Sequence, residues 1–382
     1  MGHGLKNTRK SREDMDERRA AVEGFSGARL SAIGNCPFDP MLAEKNIENM
    51  IGTVQVPLGF IGPLRVDGDH AHGDFLVPMA TTEGALLATV NRGAAALTAS
   101  GGARTIIIKE EMTRAPVFRV RDVRHARQVV AWVDEHFEEI RKVAESTTHH
   151  GKLLSAKAFA NGRSLFIRFA YDTGDAMGMN MATIATQAAS EVIQDKTGAV
   201  LISVSGNFCV DKKPSALNYI LGRGRIVLVD AVITRKVMEH KLKAEPELVA
   251  EACYRKNLVG SSMSLSYGFN AHVANMLSAI FIATGQDPAQ VVEGSMGTTT
   301  AEVVDDSLYV SLRLPSLEVG TVGGGTRLPC QSEALSMLGC LGSGKAKKFA
   351  EIVAATCLAG ELSTMAAQAK GHLASSHKAL GR

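Results

Sequence analysis

The stretch KLLSAKAFANGRSLFIRFAYDTGDAMGMNMATIATQAASEVIQDKTGAVLISV, residues 152–204, decides the fold. Leu153 to Phe159 and Ser164 to Tyr171 read as two strands on either side of Asn161-Gly162, a pair that closes strands into a hairpin. Met181 to Asp195 then carries the apolar spacing of a helix, and Ala199 to Val204 reads as a closing strand. Upstream, Val117 to Val120 reads as a strand and Val123 to Ala144 as one amphipathic helix. The order is βαββαβ, the split ferredoxin-like arrangement.

This unit, 116–203, interrupts segments of a different character. It is therefore expected as an insertion into a larger domain made of 51–115 and 204–382. Val54 to Leu64 is rich in Val, Leu, Gly and Pro, and Thr81-Thr82-Glu83 opens an Ala/Leu-rich helix to about Arg92. After Ser205 come glycine-punctuated helices and strands, a loop at Gly323-Gly324-Gly325 open to close backbone approach, and a last helix from about Ala350 to Lys370. Residues 1–50 read as a small helical N-terminal region, alternating in charge over 11–23 until Pro37 and Pro40 break the pattern. Between Asn257 and Gln286 no Asp, Glu, Lys or Arg occurs, which meets the length criterion for a membrane span. Ser261, Ser262, Ser264, Ser266, Asn270, His272 and Asn275 are too many polar groups for hydrocarbon, so the stretch is predicted as a long buried helix of a soluble core. The predicted class is α+β: a large mixed helix/sheet domain with a long central buried helix, the inserted ferredoxin-like domain, and the helical N-terminal region.

With 382 residues, 45% hydrophobic and 21% charged, the chain has the composition of a globular enzyme of two or three structural units. A net charge of +3 argues against nucleic acid as a partner and leaves room for a small phosphorylated ligand. Cys36, Cys209, Cys253, Cys330, Cys340 and Cys357 stand far apart with no Cys-x-x-Cys pair, so neither a metal site nor a disulfide framework is expected, and a reducing cytoplasm fits. The dense charge from Lys6 to Arg19 excludes a signal peptide or anchor there.

Several residues could carry chemistry, each with a plainer alternative. The loop Asp175-Ala-Met-Gly-Met-Asn180 precedes a helix and could present backbone N–H groups to a phosphate, or be an ordinary loop capped by Asp175 or Asn180. Lys212 in Asp211-Lys-Lys-Pro214 could clamp an oxyanion, or belong to a solvated turn. Glu83 suits the first turn of a helix, Asp287 before Pro288 suits an N-cap, and His377 near the C-terminus could simply be exposed.

In order along the chain, Glu48-Asn-Met-Ile-Gly52, Pro57-Leu-Gly-Phe-Ile-Gly-Pro-Leu64, Pro78-Met-Ala-Thr-Thr-Glu-Gly-Ala-Leu86, Asp175 to Asn180, Ser205-Gly-Asn-Phe-Cys-Val-Asp-Lys-Lys-Pro214, Gly285-Gln-Asp287, Gly320-Thr-Val-Gly-Gly-Gly-Thr326 and Gly371-His-Leu-Ala-Ser-Ser-His377 closely resemble hydroxymethylglutaryl-CoA (HMG-CoA) reductase. The resemblance runs from about Glu48 to His377 and is closer to the animal-like branch, in a soluble archaeal or bacterial form, than to the second bacterial branch. It implies two hydride transfers from NADPH, with NADH the lesser alternative and no metal, that convert HMG-CoA to mevalonate and CoA for isoprenoid synthesis.

By the same resemblance Glu83, Lys212, Asp287 and His377 fall on the catalytic positions. Lys212 would hold the oxyanion, Asp287 would lie between Lys212 and Glu83, Glu83 would protonate the aldehyde oxygen, and His377 would protonate departing CoA thiolate. Arg114, Ser205, Asp211, Lys213, Lys256 and Asn275 would bind the hydroxymethylglutaryl group, and Asn91 and Arg92, within Thr89 to Ala95, would lie at the CoA side. Asp175, Met177, Gly178, Met179, Asn180, Val322 and Gly323 would bind the cofactor. Thr148-His149 would meet its 2′-phosphate where animal relatives place Ser-Arg. Active sites are expected between the subunits of a homodimer or higher homo-oligomer, with neither membrane anchor nor a phosphorylatable Ser after His377. A reductase of another acyl-CoA, and an inactive nucleotide- or CoA-binding assembly module, are the competing readings.

Overall fold

The computed structural model describes residues 11–369. Among these residues ten strands are paired into one continuous, strongly divided sheet. In the larger part, β1 (Leu58–Gly68) runs antiparallel to β2 (His72–Ala80) and, through Val66 to Gly68, parallel to β3 (Ala103–Arg114). β3 pairs antiparallel with the later strand Gly224–Thr234, which pairs with Ser307–Leu317, and that strand with Thr298–Val304.

The smaller part is β4 (Val117–Arg119), β5 (Lys152–Asn161), β6 (Ser164–Asp172) and β7 (Val200–Ser203), all antiparallel in the order β7-β4-β6-β5. With the crossover helices this is the expected βαββαβ topology. The insertion is not sealed off. The end of β3, Met112 to Arg114, pairs with Phe169 to Tyr171 of β6, so one strand serves both parts. The strands Gly224–Thr234, Thr298–Val304 and Ser307–Leu317 are β8, β9 and β10.

The helices of ten residues or more are α1 (Arg12–Ser26), α2 (Leu86–Ala99), α3 (Val123–Glu135), α4 (Phe137–Ser146), α5 (Met179–Thr197), α6 (Val273–Thr284) and α7 (Ala346–Ala369). α1 starts on a capping box of Ser11 and Asp14 and ends at a left-handed Gly27. A separate core lies under the small sheet, where Phe118, Leu165, Ile167 and Phe169 meet Val129, Val133, Ile140, Ala185 and Ile193.

Three expectations about helices fail for identifiable reasons. Val123 to Ala144 is two helices, because His136 leaves helical geometry at φ −111°, ψ 24°. The helix after Thr82 begins at Leu86, where Ala85 sits at φ 68°, and it runs on to Ala99, so Glu83 lies before the helix. The long buried helix expected over 257–286 is absent. Cys253–Gly260 is π-helical, Ser261–Met263 is a single turn, and only Val273–Thr284 is a regular helix. The polar residues build the break: Ser266 Oγ accepts from Gly268 N, Asn270 Nδ2 donates to the Ser295 and Gly297 carbonyls, and Asn270 Oδ1 caps Val273 N.

α7 takes the place of that central helix. It is long and apolar enough to cross a bilayer, yet its apolar stretch is buried by the protein itself. It packs against the inner face of β8 and β10, formed by Val227, Val229, Leu312 and Leu314, and against α2. Its two internal charges, Glu351 and Glu361, stand ten residues and about 15 Å apart. Each ties down a loop. Glu351 accepts from His70 N and Ala71 N at 2.9 and 2.6 Å; Glu361 accepts from Ala271 N, His272 N and Thr299 Oγ1, each at 2.7 Å.

α2 and α7 approach closely at Gly93, where a Cβ would overlap the Ala359 backbone carbonyl. Gly93→Ala must therefore push two helices apart, and the expected cost is about 1–3 kcal/mol, read as a lower urea midpoint; an unchanged midpoint would contradict this packing.

Candidate active site

Between β7 and the short helix Ala216–Leu221 the chain folds into a tight loop in which Asn207, Val210 and Lys212, none of them glycine, take φ of 60°, 53° and 60°. Such left-handed geometry persists only where contacts enforce it. Lys212 N donates to Glu293 Oε1 at 2.5 Å, and Asn218 Nδ2 donates to the Cys209 and Val210 carbonyls at 3.2 Å and to Glu293 Oε2 at 2.9 Å.

Beneath the loop lies Arg223, fully buried. Its Nη1 is 3.2 Å from Asp211, 2.8 Å from Glu293 and 2.7 Å from Glu318. Their oxygens lie within 4.8 Å of one another, close enough to hold a cation, and the guanidinium already supplies that charge. Burial pushes the Glu318 carboxyl well above the usual carboxylate range, against the pull of Arg223. Burial also works to raise Asp211, but Arg223, the Gln290 amide, Lys212 and Arg114 outweigh it and hold Asp211 below that range.

This platform projects Lys212. Its Nζ lies 3.1 Å from Asp287 Oδ2, while Asp287 Oδ1 accepts from Ala289 N at 3.0 Å. Asp287 is thus both an N-cap and the partner of the lysine. Arg114 Nη1 is 3.8 Å from Asp211 Oδ2, Lys213 Nζ donates to the Asp211 carbonyl at 3.3 Å, and Ser205 Oγ faces Cys209 Sγ at 3.8 Å. Five sequence-selected residues, Arg114, Ser205, Asp211, Lys212 and Lys213, share this cluster with Asp287.

Glu83 lies elsewhere. It lines a cleft of about 160 Å³ with Thr89, Arg92, His272, Asn275 and Thr364. Asn275 Nδ2 donates to Glu83 Oε1 at 3.2 Å. Arg92 donates from Nε to Ser363 Oγ at 2.9 Å and from Nη2 to the Ser363 carbonyl at 3.1 Å. Among the described residues no hydrogen bond or ion pair joins Glu83 to Lys212 or Asp287, so the expected bridge through Asp287 is not made within one chain. Asn91 Oδ1 accepts from Gly62 N at 2.9 Å and so holds the first strand, and Lys256 Nζ donates to Asn257 Oδ1 at 3.2 Å. His377 falls outside the described residues.

The third group surrounds the start of α5. Gly178, at φ 89°, precedes the helix with no side-chain cap, so the first-turn N–H groups of Met179, Asn180 and Met181 suit an anion. Asp175 does not cap its own helix. Its carboxylate accepts from Gly344 N at 2.6 Å and from Lys345 N and Ala346 N at 3.0 Å, capping α7 from 170 residues away. Burial works to raise this carboxyl, and the three donors and Arg225 bring it below the usual range. Met177 and Met179 pack against the small core. Gly320 lies so close that a Cβ there would stand 2.6 Å from Met177 N, and Thr321 N donates to the Asp175 carbonyl at 2.9 Å, which sets Val322 and Gly323 beside the 175–178 loop. Thr148 Oγ1 accepts from His150 N and Gly151 N at 3.3 and 3.1 Å, leaving His149 exposed in a turn that abuts Met181.

Sequence reasoning passed over Arg223, Glu293, Glu318, His272 and Glu361. Glu361 carried a signal, as one of two acids inside an apolar helix; Arg223 between two glycines carried none.

Arg223→Met leaves buried carboxylates without their counter-charge, at a cost of about 3–5 kcal/mol near pH 7. Those carboxyls then have raised folded-state pKa values, so the folded state binds protons that the unfolded state, near 4, does not hold. The variant should therefore regain stability from pH 7 toward pH 5 in urea titrations; stability falling over that range would contradict the assignment.

The sequence model of the family described as hydroxymethylglutaryl-coenzyme A reductase matches residues 14–382. The 3-hydroxy-3-methylglutaryl-coenzyme A reductase of Pyrococcus horikoshii is 54% identical over 374 residues, covering 96% of this chain and 91% of that one. The protein of the same name from Haloferax volcanii is 54% identical over 372 residues, covering 96% and 92%. A class II 3-hydroxy-3-methylglutaryl-CoA reductase from Streptococcus pneumoniae, solved bound to NADPH, superposes with a TM-score of 0.70 at 18% identity over 92% of each chain. What it shares is the fold, and as a class II enzyme it gives the animal-like placement no support.

Proposed function

The chain belongs to the hydroxymethylglutaryl-coenzyme A reductase family, and from that premise we propose that it reduces HMG-CoA to mevalonate and CoA with two NADPH. The observation that carries the proposal is the Lys212–Asp287 pair, 3.1 Å apart, with Lys212 on a loop locked from below by Arg223 through Glu293 and Asp287 at an N-cap facing it.

The reduced nicotinamide, when bound, supplies hydride. Its fit rests on the uncapped start of α5 for the pyrophosphate and on Thr148 and His149 for the 2′-phosphate; a hydroxyl and an imidazole suit a phosphate, though less firmly than arginine does. Hydride reaching the thioester carbon puts negative charge on the carbonyl oxygen. The Lys212 ammonium, placed by its ion pair with Asp287, stabilises that oxygen by roughly 3–4 kcal/mol. Collapse breaks the C–S bond, and His377 gives the leaving thiolate a proton so that it does not re-add to the aldehyde. A second hydride enters the aldehyde carbon, and the oxygen takes its proton from Glu83. Arg114, Ser205, Asp211, Lys213, Lys256 and Asn275 hold the acyl group, and Arg92 lies toward CoA.

Glu83 lines a cleft on one part of the chain and Lys212 pairs with Asp287 on another, with no hydrogen bond or ion pair between Glu83 and Lys212 among the described residues, which supports a centre completed by a second copy of the chain. The division into 51–115 with 204–382 for substrate and 116–203 for cofactor is supported by the separate small core. The animal-like placement and a cytoplasmic location rest on the sequence alone.

In an absorbance assay with HMG-CoA the wild-type protein should consume two NADPH per thioester, and more slowly two NADH. Lys212→Met keeps the stem and adds no backbone strain at φ 60°; it should fold normally and lose turnover at least about a hundredfold. Turnover retained by Lys212→Met would remove the lysine from its role.

A further inference from the structure

Within the cleft that holds Glu83, His272 lies between two sets of groups. On one side the Gly360 carbonyl is 3.0 Å from Nε2, and Thr364 Oγ1 is 2.6 Å from the same nitrogen. On the other, Asn275 Nδ2 is 3.4 Å from Nδ1. Its backbone N–H donates to the buried Glu361, which fixes the ring's origin.

A carbonyl only accepts, so Nε2 must carry the proton, with Thr364 Oγ1 accepting beside it. Nδ1 is then a bare lone pair facing Asn275. The Asn275 amide can meet it only with its NH2, and the second hydrogen of that NH2 points to Glu83 Oε1 at 3.2 Å. The reverse orientation would set the amide oxygen against both the lone pair and the carboxylate. We propose that His272 is a positioning residue: its Nε2–H tautomer, set by Gly360, orients the Asn275 amide so that its nitrogen holds Glu83 and its oxygen is free for a substrate hydroxyl. The proposal rests on the reductase reading, in which Glu83 is the proton donor.

Two variants separate the parts of the ring. His272→Gln can reach Gly360 and Thr364 but leaves no acceptor at Nδ1, whereas His272→Asn restores an amide oxygen there. Expected for His272→Gln is a kcat lowered about tenfold or more, with KM for reduced cofactor unchanged; His272→Asn should recover turnover to within about threefold of wild type. In parallel, two-bond ¹⁵N–¹H spectra of histidine-labelled wild-type protein at about pH 8, where free imidazole is neutral, should show one ring protonated on Nε2 whose signals vanish in His272→Asn. That measurement reads the tautomer without turnover, so failure of the reductase reading, seen as an inactive wild type, stays distinct. A His272 proton on Nδ1, or equal losses in the two variants, overturns the proposal.

Discussion

The buried guanidinium of Arg223 is the constraint on which the Lys212 half of the site depends. A lysine that is to meet a developing oxyanion must stand at a fixed place before the charge forms, because reorganisation at that moment would forfeit most of the stabilisation. Lys212 stands on a loop with three non-glycine residues in left-handed geometry, which would relax if left alone. Glu293 prevents this by accepting from the Lys212 N–H, and Glu293 is itself held by Arg223. Asp211, on the same loop, is held by the same guanidinium. Three acids around one arginine are costly to bury, and burial pushes the Glu318 carboxyl up against the pull of Arg223.

α7 does comparable work on a larger scale. Asp175 caps its start, Glu351 takes two N–H groups from the turn after β1, and Glu361 takes two from the loop that carries His272 toward α6. The 175–178 loop, the first hairpin and the Glu83 cleft are thus registered against one helix. Burial of Glu351 and Glu361 strengthens the bonds that they accept.

Much of this was legible in the residues and some was not. The hairpin at Asn161-Gly162 and the βαββαβ order follow from alternation and turn chemistry, both local. The break in 257–286 did not show, because a run free of charge reads alike whether its serines and asparagines lie inside a helix or cap its ends; the contacts of Ser266 and Asn270 decide it. Asp175 was legible as a cap but not as the cap of a helix 170 residues away. Lys212, Asp287, Arg114 and Asp211 came from motif resemblance, and the structure brings them together. The charged floor beneath them is assembled from Arg223, Glu293 and Glu318, scattered over the chain, and no periodicity marks such residues.

The central claim is that Lys212 with Asp287 and Glu83 with Asn275 are two halves of one centre, contributed by different copies of the chain. Lys212→Met and Glu83→Gln, each inactive alone, can be unfolded together, refolded and assayed for NADPH oxidation with HMG-CoA. Halves from different copies place both substitutions in one site of a mixed dimer and leave the other intact, restoring roughly a quarter of wild-type turnover. A mixture as inactive as its components would contradict the account.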